Sequence, residues 1–141
     1  MRTIRLWHKD LLPYLPRLQL ISQFRECCCI AKSIHEKGTP NHILVNKIMD
    51  YSPQHFHDYT LWVYEEMKDR GYKCDWNKFS QWNIGEYQEG FYLPFEDIFY
   101  NWHNYRYLIQ CTFNLQEKFD CGAIPRKEWA IVYDKFHYKN N

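Results

Sequence analysis

The residues best suited to chemistry in this sequence are an adjacent arginine and glutamate, Arg25 and Glu26. At helical spacing Glu26 is the only acid on a polar stripe whose other members are Gln19, Ser22, Cys29 and Ser33. A carboxylate beside cations suits general acid–base catalysis in a cleft where arginines hold an anionic substrate. A solvated helix face has the same pattern, so the pattern alone leaves both interpretations open.

Metal chemistry has little support in the sequence. Cys27, Cys28 and Cys29 follow the charged pair, but in a helix they project about 100° apart and do not converge on one ion. His55 and His57 stand two apart, on different sides of a helix, and no CxxC or HExxH motif occurs. Glycine-rich nucleotide-binding motifs and GxSxG are also absent. We therefore expect six free, mostly packed thiols in a reducing compartment, no metal and no cofactor.

The segments that would position these residues have helical periodicity. In the first, apolar residues recur at i, i+4, i+7, i+11 and i+14, namely Leu20, Phe24, Cys27, Ala31 and Ile34. Pro16 and Gly38 suit its start and stop. A short segment follows, and then Ser52 as N-cap, Pro53 at the first helical position and Gly71 past the last turn delimit a second long helix.

The rest of the chain completes an all-α prediction. We interpret residues 72–93 as an ordered loop, followed by a helix from Pro94 to Gly122 and a short helix from Pro125. The expected fold is a small single-domain helical bundle of about three long helices plus short helices, with residues 1–141 as one domain. We expect the core to include Trp7, Trp62 and Trp102.

Composition and charge narrow the class of protein. The chain is 45% hydrophobic and 19% aromatic, too aromatic for a disordered protein. No apolar run approaches the roughly 20 residues needed to span a bilayer, and the charged N-terminus is no secretory signal, so we expect a cytoplasmic protein. Residues 1–49 hold eight Lys/Arg against three acids, net +5, whereas the remainder is net −4. The basic end suits a polyanion such as a nucleic acid, although such asymmetry also arises by chance.

Two runs of sequence resemble a known family. RLWHKDLLPYLPRLQLISQFRECC (5–28) and NHILVNKIMDYSPQHFHDYTLWVYEEMKDRGYKCD (41–75) are similar to a bacterial branch of the pyrimidine-dimer DNA glycosylase, or phage endonuclease V-like, family. Residues 100–119 resemble the last helix of that branch more loosely. The likeness to phage-type members rests mainly on Arg-Glu in the first helix, a histidine opening the next, and Arg-Gly ending the third.

This resemblance implies a metal-free DNA repair enzyme that cleaves the glycosidic bond of a damaged pyrimidine and then the DNA backbone. The chain's α-amine attacks the sugar C1′ to form a Schiff base, assisted by Glu26. An α-amine has a pKa near 7.7–8.0, so a fair fraction is nucleophilic at cellular pH. The residues expected to contact DNA are Arg5, Arg17, Arg25 and His42. We expect the partner to be damaged double-stranded DNA, with no membrane, and the protein to act as a monomer.

The start of the chain departs from the family pattern. Met1, Arg2 and Thr3 precede Ile4, whereas the branch begins at or just before the arginine that is Arg5 here. The α-amine of Met1 would lie about 10 Å beyond the expected position. Either the extension folds back, or the true start is the Ile4 codon, or the nucleophile is lost. We expect the protein made in its native host to begin at the Ile4 codon, read as Met.

Two other functions stay open beside the enzyme, namely a catalytically inactive nucleic-acid-binding module on the same fold and a small interaction protein. In phage-type members an aromatic, basic C-terminal segment contacts the lesion. Residues 129–139 are only loosely similar to that segment. The sequence therefore leaves the choice of lesion open, and it gives no role for His8 or His103.

Overall fold

The computed structural model describes residues 4–85 and 91–136, and within these ranges it consists of helices and turns without a β-strand. The α-helices are α1 (Arg17–Lys37), α2 (Pro53–Asp69), α3 (Asn77–Ser80), α4 (Tyr105–Asp120) and α5 (Arg126–Phe136), and short 3₁₀ helices span Lys9–Tyr14, Asn46–Asp50 and Phe95–Asp97. The predicted all-α fold is confirmed. No helix within the described ranges is both long and apolar enough to cross a membrane.

Helices α1 and α2 pack against each other and carry much of the core. On α1 the predicted apolar stripe is buried at Leu20, Phe24, Cys27 and Ala31. The helix ends as predicted at Gly38, whose left-handed φ of 77° lets its N–H donate to the Ile34 carbonyl. On α2, Ser52 and Pro53 start the helix as predicted, and its buried side chains include Phe56, Tyr59, Val63 and Met67.

The N-terminal segment, residues 4–16, runs across these two helices. Its leucines at positions 6, 11, 12 and 15 are almost completely buried. Arg70, at the end of α2, donates to the Leu15 carbonyl at 2.7 Å and to the Pro13 carbonyl at 3.1 Å. Arg70, the arginine of the Arg-Gly pair, therefore has a structural role, because its guanidinium holds the N-terminal segment against the end of α2.

The prediction of one helix from Pro94 to Gly122 was wrong at its start. Helix α4 begins only at Tyr105, with the Asn104 side chain accepting from the Tyr107 N–H as an N-cap. Residues 98–104 form turns instead, and Phe99 adopts a left-handed φ of 50°. This conformation buries Phe99 completely in the core. Tertiary packing thus overrides the local helical pattern. The predicted loop 72–93 also contains the short helix α3 within its described part.

The predictions for single side chains had mixed outcomes. Trp7 and Trp102 are buried as predicted, but Trp62 is 46% exposed, where its ring packs edge-on against Phe95. All six cysteines are free, as predicted. Cys27 is fully buried, Cys28 is partly buried and Cys29 is exposed. The three consecutive thiols therefore point in different directions around α1.

Candidate active site

A cleft of about 220 Å³ contains the Glu26 carboxylate. Its walls come from α1, α4 and the N-terminal segment, and its lining residues are Arg5, Trp7, Leu18, Gln19, Ser22, Glu26, Asn114 and Lys118. We call this the Glu26 cleft. On α1 the positions 18, 22 and 26 are four residues apart and share one face, and so do 114 and 118 on α4. The first part of the predicted polar stripe, Gln19, Ser22 and Glu26, therefore faces another helix across a cleft, whereas Cys29 is exposed to solvent.

The charges in the Glu26 cleft suit an anionic substrate. Arg5 and Lys118 approach from two different walls and are both half-buried, and Glu26 is the only acid among the described residues of the lining. Two cations around one carboxylate favour binding of phosphate groups while leaving a group that can accept or donate a proton. Asn114 and Lys118 were missed from the sequence because an i, i+4 polar pair on α4 looks like any solvated helix face.

Arg5 is held in a defined position. Its guanidinium carbon lies 5.9 Å from the ring centres of both Trp7 and Tyr107, and Nη1 lies 3.8 Å from the Cys111 sulfur. Cation–π contacts of this kind restrict a side chain without neutralising its charge. Arg5 therefore keeps its positive charge available at the cleft.

The side-chain amide of Gln23 connects the N-terminal segment to Glu26. Its Nε2 donates to the Arg5 carbonyl at 3.0 Å and lies 3.5 Å from Glu26 Oε2, while its Oε1 accepts from the Trp7 N–H at 2.7 Å. The Arg5 carbonyl and the Glu26 carboxylate thus both lie within 3.5 Å of one nitrogen. One sequence signal for this contact was missed, namely a glutamine three residues before Glu26 at the border of the apolar stripe.

Two buried tyrosines fix the same segment. The Tyr59 hydroxyl donates to the Trp7 carbonyl at 2.6 Å, and the Tyr107 hydroxyl donates to the Leu6 carbonyl at 2.5 Å. Burial raises the pKa of both hydroxyls above the usual value, so both remain protonated donors at any physiological pH. Residues 5–7 therefore lie in one defined path along the base of the cleft.

A second groove, of about 490 Å³, adjoins the Glu26 cleft, and Arg5 and Asn114 line both. Among its other lining residues are Ile43, Leu44, Lys47 and Phe113. Ile43 is 88% exposed and Phe113 is 60% exposed. The combined surface is thus polar and cationic at Glu26, and more apolar toward the turn that precedes the Asn46–Asp50 helix.

The other residues predicted to contact DNA are not among the described lining residues of the Glu26 cleft. Arg25 is exposed on the neighbouring position of α1. His42 is exposed in the turn beside the second groove, where its N–H donates to Asn46 Oδ1 at 3.1 Å. Arg17 does not line the cleft, because its guanidinium lies 5.7 Å from the Tyr72 ring centre.

The predicted nucleophile can be located only in part. Met1 lies outside the described residues. Ile4, the other predicted start, is half-buried and packs against the core directly before Arg5. Ile4, the first residue that the structure describes, is therefore the chain neighbour of Arg5, which lines the Glu26 cleft.

His8, Lys9 and His103 form a buried polar cluster away from the cleft. The His8 ring bonds the His103 carbonyl at 2.9 Å, and the Lys9 N–H donates to His103 Nδ1 at 3.0 Å. Burial lowers the pKa of both histidines below the usual value, so they are neutral near pH 7. Within the described residues no group of His, Cys, Asp and Glu side chains is arranged to hold a metal ion.

A family model described as pyrimidine dimer DNA glycosylase matches residues 1–79, more than half of the chain. The chain belongs to this family. No curated protein and no solved structure matches the chain significantly. The suspected resemblance is thereby confirmed.

Membership of the pyrimidine dimer DNA glycosylase family assigns the chain to DNA repair, with DNA as its substrate. The matched range includes α1 with Glu26 and the whole N-terminal segment. The opposite wall of the Glu26 cleft, with Asn114 and Lys118, lies outside the matched range. Two of the eight described lining residues therefore come from the part of the chain that the family model does not match.

Proposed function

We propose that the protein is a pyrimidine-dimer DNA glycosylase with abasic-site lyase activity, which uses its N-terminal α-amine as nucleophile and Glu26 as the acid–base group. The observation that carries this proposal is the meeting of three features in one cleft: the Glu26 carboxylate, the cations Arg5 and Lys118, and the N-terminal segment. Membership of the glycosylase family supplies the class of substrate.

The proposed reaction has two stages. The neutral amine attacks C1′ of the damaged nucleotide, so that a C–N bond to the protein forms while the glycosidic bond breaks and the base leaves with a proton. The positive charge that develops on the sugar is stabilised by the Glu26 carboxylate. The sugar ring then opens to an imine. Removal of a C2′ proton expels the 3′ phosphate and cleaves the strand, with Glu26 as the proton relay.

The position of the amine depends on where the chain starts. Gln23 bonds both the Arg5 carbonyl and Glu26, so an amine at position 4 would be one residue from a group already beside the carboxylate. Three more residues add about 10 Å of extended chain. We propose the amine of a chain that begins at Ile4 as the more direct nucleophile, and the Met1 amine as the alternative, which requires the extension to fold back.

The DNA contacts that we propose follow the position of the cations. Arg5 and Lys118 would bind phosphates inside the cleft, and Arg25 would bind one at its rim. His42 would contact the backbone beside the second groove. Arg17 remains a predicted DNA contact further along the duplex, since its side chain points to Tyr72 instead of the cleft.

Because α4 supplies one wall, we further propose that residues 1–141 work as one domain. The carboxylate, the two cations and the N-terminal segment that the proposed reaction needs all belong to this chain, so we also propose that the protein acts as a monomer.

The test is borohydride trapping with duplex DNA that carries an abasic site or a cyclobutane dimer. Borohydride reduces an imine to a stable covalent adduct. An adduct that forms with wild type and is lost in Glu26→Gln supports the proposal. The assay is run on the chain from Met1 and on a second form that begins at position 4 with Ile4→Met, so that the position of the amine is tested separately.

A catalytically inactive DNA-binding module is the second candidate, and the residues ahead of Ile4 favour it. It predicts salt-sensitive binding to damaged DNA without any adduct from either form. Absence of DNA binding at low salt would instead indicate a protein-interaction role.

A further inference from the structure

The Gln23 amide has four polar neighbours and no exposure to solvent. Its orientation is fixed by two backbone groups of opposite kind. The Trp7 N–H can only donate, so it requires the Gln23 oxygen, and the Arg5 carbonyl can only accept, so it requires the Gln23 nitrogen. A flipped amide would break both hydrogen bonds in a buried site, which disfavours it strongly.

This fixed orientation directs the second Nε2 hydrogen toward Glu26. The distance from Nε2 to Glu26 Oε2 is 3.5 Å, a long hydrogen bond. Hydrogen bonds of catalytic groups often shorten when a substrate complex forms, so this length is compatible with a catalytic role for Glu26. One rigid amide therefore contacts the backbone that leads to the N-terminus and also the carboxylate that is to act beside it.

We propose that Gln23 is a positioning residue that sets the distance and orientation between the N-terminal segment and the Glu26 carboxylate. This inference rests on the proposed function, because it assigns Gln23 a role through the amine and through Glu26. Gln23 is buried and is not among the described lining residues of the cleft, so its proposed effect on the reaction is indirect.

A purely structural role is the competing explanation, since any buried glutamine with these bonds stabilises the fold. The two explanations differ in what they expect for Glu26. A positioning role predicts that changes at Gln23 alter the behaviour of the carboxylate. A structural role predicts only a loss of stability, and with it a lower fraction of folded protein.

Two variants of Gln23 separate these roles. Gln23→Met keeps the volume and removes every hydrogen bond of the amide. Gln23→Glu retains an acceptor for Trp7 but places a second carboxylate beside Glu26. The other titratable groups that face Glu26 stay unchanged, namely Arg5 and Lys118 in the cleft and Cys27 and Tyr59 on the core side.

Asp58→Asn provides the control for stability. Asp58 is 1% exposed, accepts from the Leu93 N–H at 2.7 Å, and does not line the Glu26 cleft. Its substitution disturbs a buried polar site of similar kind without contact to the N-terminal segment. Stability of all variants is measured by thermal unfolding, and trapping is measured at a temperature where all of them are folded.

The decisive experiment combines single-turnover borohydride trapping at saturating abasic DNA with a pH titration of Glu26 by ¹³C NMR. We expect Gln23→Met to slow trapping about 10- to 100-fold, because small displacements of reacting groups have effects of this size. We expect Gln23→Glu to move the acid limb of the rate profile to higher pH, because a neighbouring carboxylate disfavours ionisation of Glu26. Asp58→Asn should keep the wild-type rate and profile.

The inference is overturned if the Gln23 variants, once folded, trap at the wild-type rate, or if the Glu26 titration in Gln23→Glu is the same as in wild type and Asp58→Asn. The NMR arm does not depend on activity. If wild type forms no adduct at all, the proposed function fails, and a changed Glu26 titration in Gln23→Glu then still supports the coupling of Gln23 to Glu26.

Discussion

The Glu26 cleft and the buried cluster of His8, Lys9 and His103 both use residues of the N-terminal segment, and both combine a cation of that segment with other polar groups. In the cluster the ammonium of Lys9 donates to the Glu96 carbonyl at 2.8 Å and to the Ile98 carbonyl at 2.6 Å. In the cleft Arg5 and Lys118 stay half-exposed beside Glu26. The cluster uses its polar groups to hold the fold together, whereas the cleft keeps them accessible to a substrate.

This comparison explains why residue type alone is a poor guide to function. Lys9 counts toward the +5 charge of the first 49 residues, yet it is 5% exposed and bound to backbone carbonyls, so it cannot contact DNA in the folded protein. Lys118 belongs to the net-negative remainder of the chain, yet it faces Glu26. Net charge along the sequence and charge around the cleft are therefore different quantities.

The largest effect is expected from Glu26→Gln. Loss of the carboxylate should lower the trapping rate about 10²- to 10⁴-fold, the range typical of a missing acid–base group. The change keeps the shape of the side chain, so the melting temperature should stay within about 2 °C of wild type. Single-turnover kinetics and thermal unfolding measure the two effects. A large fall in stability, with an unchanged trapping rate in the folded fraction, would show that Glu26 stabilises the fold and does not act in catalysis.

Lys9→Met should have the opposite profile. It leaves the carbonyls of Glu96 and Ile98 without their donor and removes the contact of the ammonium with the Phe95 ring, 5.6 Å away. We expect the free energy of unfolding to fall by about 2–3 kcal/mol, with the trapping rate of the folded protein unchanged. Urea unfolding checks the first part. Lys73→Met, at an exposed lysine, is the control and should cost under about 0.5 kcal/mol.

The pH dependence of stability should reveal the buried histidines. Protonation of His103 Nδ1 would break its bond from the Lys9 N–H, and burial already lowers the pKa of both His8 and His103. The unfolded chain therefore binds more protons below about pH 6.5, and stability contributed by these neutral rings is lost as pH falls below that value.

Unfolding experiments from pH 7.5 down to pH 5 measure this loss in wild type and in His103→Asn. The asparagine can keep an acceptor for the Lys9 N–H without titrating, so its stability should fall less steeply with pH. Equal slopes for the two proteins would show that His103 does not contribute to the pH dependence.

The smallest effect is expected from Lys118→Ala. Removal of one phosphate contact should weaken DNA binding several-fold and lower the slope of log K against log salt concentration by about 1. Lys127→Ala, at an exposed lysine of α5 outside the cleft lining, should leave the slope unchanged. Binding isotherms at several salt concentrations measure both. An identical slope for Lys118→Ala and wild type would remove α4 from the proposed DNA-binding surface.

Local sequence signals predicted the two central helices well. Ser52 with Pro53, and the glycines at 38 and 71, act through backbone conformation within a few residues, so their positions could be derived from sequence. The turn around Phe99 could not, because it depends on burial of that side chain and on Lys9, some 90 residues earlier in the chain.

The residues of the candidate site were also predicted only where the signal is local in the sequence. Glu26 was found from its place on a polar helical stripe and from the family resemblance, both of which are local. Gln23, Asn114 and Lys118 were missed because their importance comes from contacts between distant segments. The pairing of α1 with α4 across the cleft is a property of the tertiary structure, and no spacing along either helix indicates it.

The central claim is that the chain's own α-amine reacts beside Glu26, and locating the covalent bond tests it most directly. The protein is trapped on abasic duplex DNA with borohydride and digested, and the modified peptide is sequenced by mass spectrometry. We predict that the sugar remnant is attached to the α-amine of the first residue, whichever start the chain has. Attachment to a lysine side chain such as Lys118, or absence of any adduct, would contradict the account.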